Sequence, residues 1–359
     1  MDLRRIILKQ NALRTFVREN GFVPLAWAGS TSAMDYLNIG DALSPVMVAL
    51  LSGLDVRRVP TRSQNLRMAC VGTIGHGFGG GETHFWGTGS SMWTKPRTPN
   101  GERLRFEVPQ NSLFKVHATR GPISEKILTG KENSVGVYGD PVWLLPKFYN
   151  PPVKKRWKLG VIVHLSELND RASVPNLKQE LSRYEIPDFL SDDVRVINTV
   201  CSIGVDAIKE KLDEILSCER IVSTSLHGMV FAEAYRIPCL HFSTRADKTG
   251  LHCQRLDVDD ALDLRVMDLY RGLGIVSLAV YSQRPDCATD WENLLEAIDK
   301  AYEPKVLDED ALINAFPVDY APVGPSEGRS VWEHSVLQSI CLQHDVSELK
   351  RNDKARAKS

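Results

Sequence analysis

The chain has 359 residues, 43% of them hydrophobic and 25% charged, with 44 lysines and arginines against 45 aspartates and glutamates for a formal charge of -1. That length exceeds one minimal core and points to two domains, while the composition excludes wholesale disorder and collagen-like or repeat-only architectures. Balanced charge provides no global field toward nucleic acid or anionic membrane, so no nucleic-acid partner is expected and any anionic ligand must be held locally.

Residues 1–21 carry Arg4, Arg5, Lys9, Arg14 and Arg18 without an apolar run of useful length, so no secretory leader is expected. From about residue 22 short apolar runs alternate with helical patterns, the sign of parallel strands joined by crossover helices and hence of an α/β fold. The spacing predicts a helix over 41–54 stopping at Gly53, then a strand over 68–74 that ends in Gly75, Gly77, Gly79, Gly80 and Gly81. Strands follow over 84–88 and 113–118. Arg120-Gly121-Pro122 then opens a helix over 123–128, where proline's missing donor is harmless. A strand over 134–138 runs into Gly139-Asp140-Pro141.

Pro146, Pro151 and Pro152, followed by Lys154, Lys155, Arg156 and Lys158, read as an interdomain connection between a first domain over 1–150 and a second over 151–301. The second series has strands over 159–165, 194–200, 221–223 and 238–242, with helices over 205–216 and 227–236. Two Rossmann-like domains facing a cleft are therefore expected. Beyond residue 302, Pro317, Pro322 and Pro325 lead to an amphipathic helix over 330–342, an appendage. The final ten residues contain five basic side chains and one aspartate and read as a solvated, disordered end with at most weak contact to anionic lipid. Apolar stretches over 44–54 and 274–281 fall short of the ~20 residues that span a bilayer. Seven cysteines without a C-x-x-C pair point to reduced thiols in a cytoplasm.

Four segments could carry chemistry. In Ser223-Thr224-Ser225-Leu226-His227-Gly228, a histidine follows a strand and starts a helix, where free amides and a partial positive charge suit a phosphate or carboxylate. Thr224 or Ser225 is the expected cap. Asn38-Ile39-Gly40-Asp41 can cap a helix or orient a hydroxyl. Arg120 offers a planar fork matched to carboxylate or phosphate. His164 ends the strand that opens the second domain. For each, a packing, capping or surface-pairing role stands beside the functional one. Residues 77–81 lack the lysine and hydroxyl of a phosphate loop and read as a flexible cleft loop. His76 with His84, and His252 beside Cys253, lack metal-ligand spacing, so no metal is expected.

In order and spacing these segments match a family. The sequence resembles the polysaccharide pyruvyl transferases through Asn38-x-Gly40-Asp41, Gly87-Thr88-Gly89, Arg120-Gly121-Pro122, Gly139-Asp140-Pro141, the strand ending at His164, Ser225-Leu226-His227-Gly228 with Ala232, Ala234 and Pro238, and Met267-x-Leu269-Tyr270-x-x-Leu273-Gly274. The resemblance covers roughly residues 35 to 275. It implies a GT-B-like pair of domains that moves pyruvate from phosphoenolpyruvate onto two hydroxyls of a sugar as a cyclic ketal. It also implies Arg120 and His227 as the donor-gripping and catalytic residues, with Asn38, Gly40, Asp41, Thr88, His164, Ser225, Leu226 and Gly228 around the substrates. Phosphoenolpyruvate would be a substrate and no cofactor would be needed. The acceptor would be an oligosaccharide or lipid-linked saccharide, handled by a cytoplasmic protein that visits the inner membrane face. The chain departs from the family pattern in having Val163 before His164, where proline is common, and Gly121-Pro122 after Arg120, where an acidic residue is common. A nucleotide-sugar glycosyltransferase on the same architecture, or a non-catalytic carbohydrate-binding relative, would be the rival readings.

Overall fold

A computed structural model describes residues 11–94, 101–244, 248–258, 262–324 and 329–356. Part of the leader expectation (1–10) and of the tail expectation (357–359) falls outside these residues. Helix α1 (Ala12–Asn20) opens at Asn11, whose side chain accepts from the Arg14 amide, and closes at Gly21 with φ 71°. It lies on β1 (Phe22–Ala26), a strand buried along its whole length, as parallel strands covered on both faces are. The two-residue strands β2 (Ser30–Thr31) and β3 (Leu37–Asn38) lead into α2 (Ile39–Ser52), an almost wholly buried helix that Gly53 stops at φ 65°. Then come β4 (Asp55–Arg58), β5 (Arg67–Ala69), β6 (Gly81–Phe85), β7 (Ser112–Val116) and α3 (Pro122–Thr129). The front sheet runs β4-β1-β5-β6-β7, parallel throughout.

Two expectations for this half need correcting. Residues 134–138 are not a strand; only Tyr138 forms a bridge, to Thr119. The carboxylate of Glu125 takes the Ser134 hydroxyl, the Val135 amide and the Tyr138 hydroxyl, folding the segment onto the end of α3 instead of into a ladder. Nor is the glycine segment after β5 loose. The buried Arg67 guanidinium donates to the carbonyls of Thr61, Ser63, Asn65, Gly79 and Gly80 at 2.8–3.0 Å, which ties that loop to its neighbour.

The back half contains β8 (Leu159–Val163), β9 (Val194–Asn198), β10 (Val200–Cys201), α4 (Val205–Leu216), β11 (Ile221–Ser223), α5 (Leu226–Ala234), β12 (Cys239–Ser243), β13 (Gly250–Arg255), α6 (Leu264–Gly272), β14 (Ser277–Ser282) and α7 (Trp291–Ala301). Its sheet runs β13-β14-β12-β11-β8-β9, parallel except for the antiparallel edge pair β13 and β14. The expected α/β class is observed. Front and back meet in a small antiparallel ribbon, β10 on β3, and in a hydrophobic cluster in which Leu43 and Met47 of α2 join Met229 and Val230 of α5.

Beyond α7 lie α8 (Glu309–Asn314), α9 (Ser335–Gln338), β15 (Gln343–His344) and α10 (Val346–Arg356). The expected helix over 330–342 is broken into a single turn at Val331–Glu333 and the short α9. Its apolar residues Trp332, Leu337, Ile340 and Leu342 sink into the main core along a turning path that one straight helix cannot follow. The segment packs back on the front half: Ala321 and Val323 donate to the carbonyls of Leu51 and Leu50, and β15 pairs with β2. The basic end is solvated but helical, because Asp353 of α10 accepts from Ser63 and Asn65. No helix among the described residues is long and apolar enough to cross a membrane.

Candidate functional site

His227 occupies the second position of α5, at the carboxyl end of β11. Its N-cap, Ser225, makes no side-chain cap bond, because the local hydrogen bonds are taken by Ser223: the Ser223 hydroxyl receives the Ser225 amide and donates to the Ser225 and Ile162 carbonyls. Gly228 fits over that hydroxyl, where a Cβ would lie 2.2 Å from Ser223 Oγ. The imidazole lies against Gly40 in the first turn of α2; a Cβ on Gly40 would come within 2.0 Å of His227 Nδ1. Asn38 holds that turn by accepting from the Gly40 amide at 3.2 Å. The carboxylate of Asp41 lies beside Gly72, whose φ of 109° brings its backbone close.

His227 Nε2 is buried without a hydrogen-bond partner, and the nearest acid, Asp140 Oδ2, is 4.0 Å away. Burial, then the charges of Arg120 and Arg265, then His164, hold the imidazole down to about 3. Asp140 follows a glycine at φ 148° and caps its own turn by accepting the Val142 amide on Oδ1. Burial pushes its carboxyl up to about 6 against the opposing pull of the Val142 amide and Arg120.

Arg120 is 1% exposed, and its partner Asp268 on α6 is fully buried. Asp268 receives Arg120 Nε at 3.2 Å, the Ile123 and Ser124 amides at 2.9 and 3.0 Å and the Ser124 hydroxyl. The amino end of α3 is therefore filled by the protein's own carboxylate. Arg120 Nη1 donates to Thr73 at 2.7 Å. Nη2 lies 3.1 Å from Asp268 Oδ2 but off the hydrogen-bond line, and has no hydrogen-bond partner. The guanidinium rests on Gly89, where a Cβ would be 2.3 Å from Nη1. The neighbouring Thr88 hydroxyl is buried and also unpartnered.

Residues 80–245 match the family model of polysaccharide pyruvyl transferase. That stretch, somewhat under half of the chain, is similar to the polysaccharide pyruvyl transferases. No curated protein and no solved structure matches the chain. The matched stretch holds Thr88, Arg120, Asp140, His164 and His227, whereas Gly40 and Asp268, which pack on His227 and Arg120, lie outside it.

Of the residues read from sequence, the fold sets Gly40 and its cap Asn38 against His227, on whose charge Arg120 acts, while Asp41 lies beside Gly72 and Thr88 precedes the Gly89 on which Arg120 rests. Leu226 is a core residue, Gly228 is a packing contact, and Ser225 is buried. His164 has both ring nitrogens engaged: Nε2 faces Arg265 Nη1 at 3.2 Å and Nδ1 faces the Ser166 hydroxyl at 2.8 Å. Nδ1 also accepts from the Ser166 amide at 3.2 Å, which makes His164 the cap of the turn that follows it. Burial, then Arg265, lowers its basicity further. Asp140 appears in the sequence only as part of a glycine-aspartate-proline turn. Asp268 is the unspecified position of Met267-x-Leu269 and Arg265 belongs to no motif; Arg265 is held by Asp263 at 2.8 and 3.0 Å. Glu167, also without sequence signal, joins the His164 amide and the Thr224 and Tyr184 hydroxyls. His84 is bonded to His117 and Glu82, and His76 accepts from Ser91. The large cavities lie elsewhere: about 750 Å³ along α4 and about 630 Å³ beside Tyr138 and Arg271.

Proposed function

We propose that this chain transfers the enolpyruvyl carbons of phosphoenolpyruvate to a saccharide, closing a cyclic pyruvate ketal on two of its hydroxyls. The observation that carries the reading is a set of buried, unpartnered polar atoms, Thr88 Oγ1, Arg120 Nη2 and His227 Nε2, on segments linked by the packing of Arg120 on Gly89 and by the charge of Arg120 acting on the imidazole. Buried donors without partners are rare and unfavourable, and a compact polyanion would satisfy them. The uncapped start of α5 supplies amides for phosphate or carboxylate, whereas α3 cannot, since Asp268 fills it.

In this mechanism His227 delivers a proton to C3 of the donor while a sugar hydroxyl adds at C2; phosphate leaves and the second hydroxyl closes the ketal. One hydroxyl proton replaces the proton given to C3, and the other departs with phosphate. Arg120, already neutralised in large part by Asp268, orients the anion through Nη2 rather than gripping it with an open fork. His164, with both nitrogens engaged, fixes Arg265 rather than binding a hydroxyl directly. A GT-B-like pairing of domains over 1–150 and 151–301, and work on a lipid-linked acceptor at the inner membrane face, complete the proposal. The two parallel sheets with site residues at their carboxyl ends support the pairing.

Thermal unfolding with ligand tests it. Phosphoenolpyruvate should raise Tm in proportion to ln(1 + [L]/Kd), and a uridine or guanosine diphosphate sugar should not. Stabilisation by the nucleotide sugar alone would favour a glycosyltransferase and overturn the reading.

A further inference from the structure

We propose that Asp140 and His227 hold one proton between them, and that Asp140 passes it to His227 Nε2 when the anionic donor enters. This rests on the transfer reading and deepens it. Asp140 is a positioning residue that acts through the imidazole.

One atom of each group faces the same gap. Asp140 Oδ1 is engaged by the Val142 amide, which leaves Oδ2; the His227 ring packs on Gly40 and keeps Nε2 buried and unpartnered. These two atoms are 4.0 Å apart, too far for a hydrogen bond yet within reach of a small ring rotation. The charged and titratable groups facing them are Arg120, Arg265 and His164 around the imidazole, Arg120 and Cys70 around the carboxyl, and Asp41 beside Arg265. In the empty site below about pH 6 the proton belongs to Asp140, whose carboxyl is raised to about 6 by burial while the imidazole is depressed to about 3 by burial and the two arginines. A bound polyanion offsets those arginines, and the order of the two groups inverts.

The Asp140 Oδ2–H bond then breaks and an Nε2–H bond forms, giving a carboxylate and an imidazolium. The imidazolium gives its Nδ1 proton to C3 and becomes the neutral Nε2–H tautomer. The first sugar hydroxyl returns a proton to Nδ1, so the pair ends the cycle with the protons it began with. Because the groups are coupled, they titrate as a unit in two steps.

Nitrogen-15 spectra of histidine-labelled protein report the charge and tautomer of His227 directly, with His227→Gln supplying the assignment. At pH 5, where the carboxyl holds its proton and the imidazole does not, saturating phosphoenolpyruvate should convert His227 to imidazolium in the wild type and leave it neutral in Asp140→Asn, whose amide oxygen still caps Val142. Turnover of Asp140→Asn should fall about a hundredfold with donor KM within about threefold, and Asp140→Glu should recover part of the loss. Equal His227 charge in the two bound proteins overturns the proposal. Should Asp140→Asn fail to fold, the ligand-free wild type decides: its His227 signal must titrate in two inflections, and a single one overturns the shared proton. If phosphoenolpyruvate leaves the wild-type spectrum and Tm unchanged, the transfer reading itself fails and this proposal falls with it.

Discussion

Two buried acid–base pairs connect the front and back halves, and they are built in opposite ways. Arg120 of the front meets Asp268 of the back, and that carboxylate is saturated by the guanidinium, two amides and a hydroxyl. Asp140 of the front faces His227 of the back across 4.0 Å, with the imidazole nitrogen unpartnered. The residue classes are similar and the burial is similar. What separates them is saturation: a buried ion pair with every valence filled fixes structure, whereas one with an empty valence has a proton to trade.

Breaking the unsaturated pair should act on chemistry. His227→Gln, which keeps most of the volume packed on Gly40, is expected to lower turnover by about 10²–10⁴-fold, measured as phosphate released from phosphoenolpyruvate, with no hydrogen bond of Nε2 lost. Breaking the saturated pair should act on stability. Asp268→Ala leaves Arg120 uncompensated and two α3 amides unpaired, so the urea midpoint should drop by the equivalent of about 3–5 kcal/mol. Gly40→Ala sharpens the contrast from a third side: alanine suits the helix, but its methyl would meet the imidazole, so turnover should fall by up to about a hundredfold while α2 keeps its stability.

The smallest effect is a pH signature of the unsaturated pair. The Asp140 carboxyl is raised from its ordinary 3.8 to about 6, so between those values the folded state binds more protons than the unfolded one. Its contribution is thus full below pH 4 and declines as pH rises to 6. The Tm of wild type relative to Asp140→Asn should fall across that window. A flat difference would mean that burial does not penalise the Asp140 charge.

Much of the architecture was legible in local sequence. α4 and β11 have the expected bounds, and Gly53 stops α2 where its spacing said it would, since helix periodicity and left-handed glycine caps are local properties. The misses share a cause. Asp268 sits at an unspecified motif position and Arg265 at none, and their roles exist only because α6 packs on α3 and on the His164 turn. The Asp140–His227 gap is equally non-local. The end of the chain misled in both directions: Trp332, Leu337 and Ile340 looked like one helix face but are separate anchors, and α10, polar all round, looked unstructured until Asp353 met Ser63 and Asn65.

The indole of Trp86, within the family-matched stretch, donates to the Leu312 carbonyl at 2.8 Å, far outside it. A fragment cut at residues 80 and 245 would also strip β1, β4 and β5 from the front sheet and β13 and β14 from the back. The motif-bearing stretch is therefore not a portable cassette. Grafting it or expressing it by itself would deliver the reactive side chains without the walls that keep water from them, and any chimera has to exchange the chain from α1 to α10 as one inheritance.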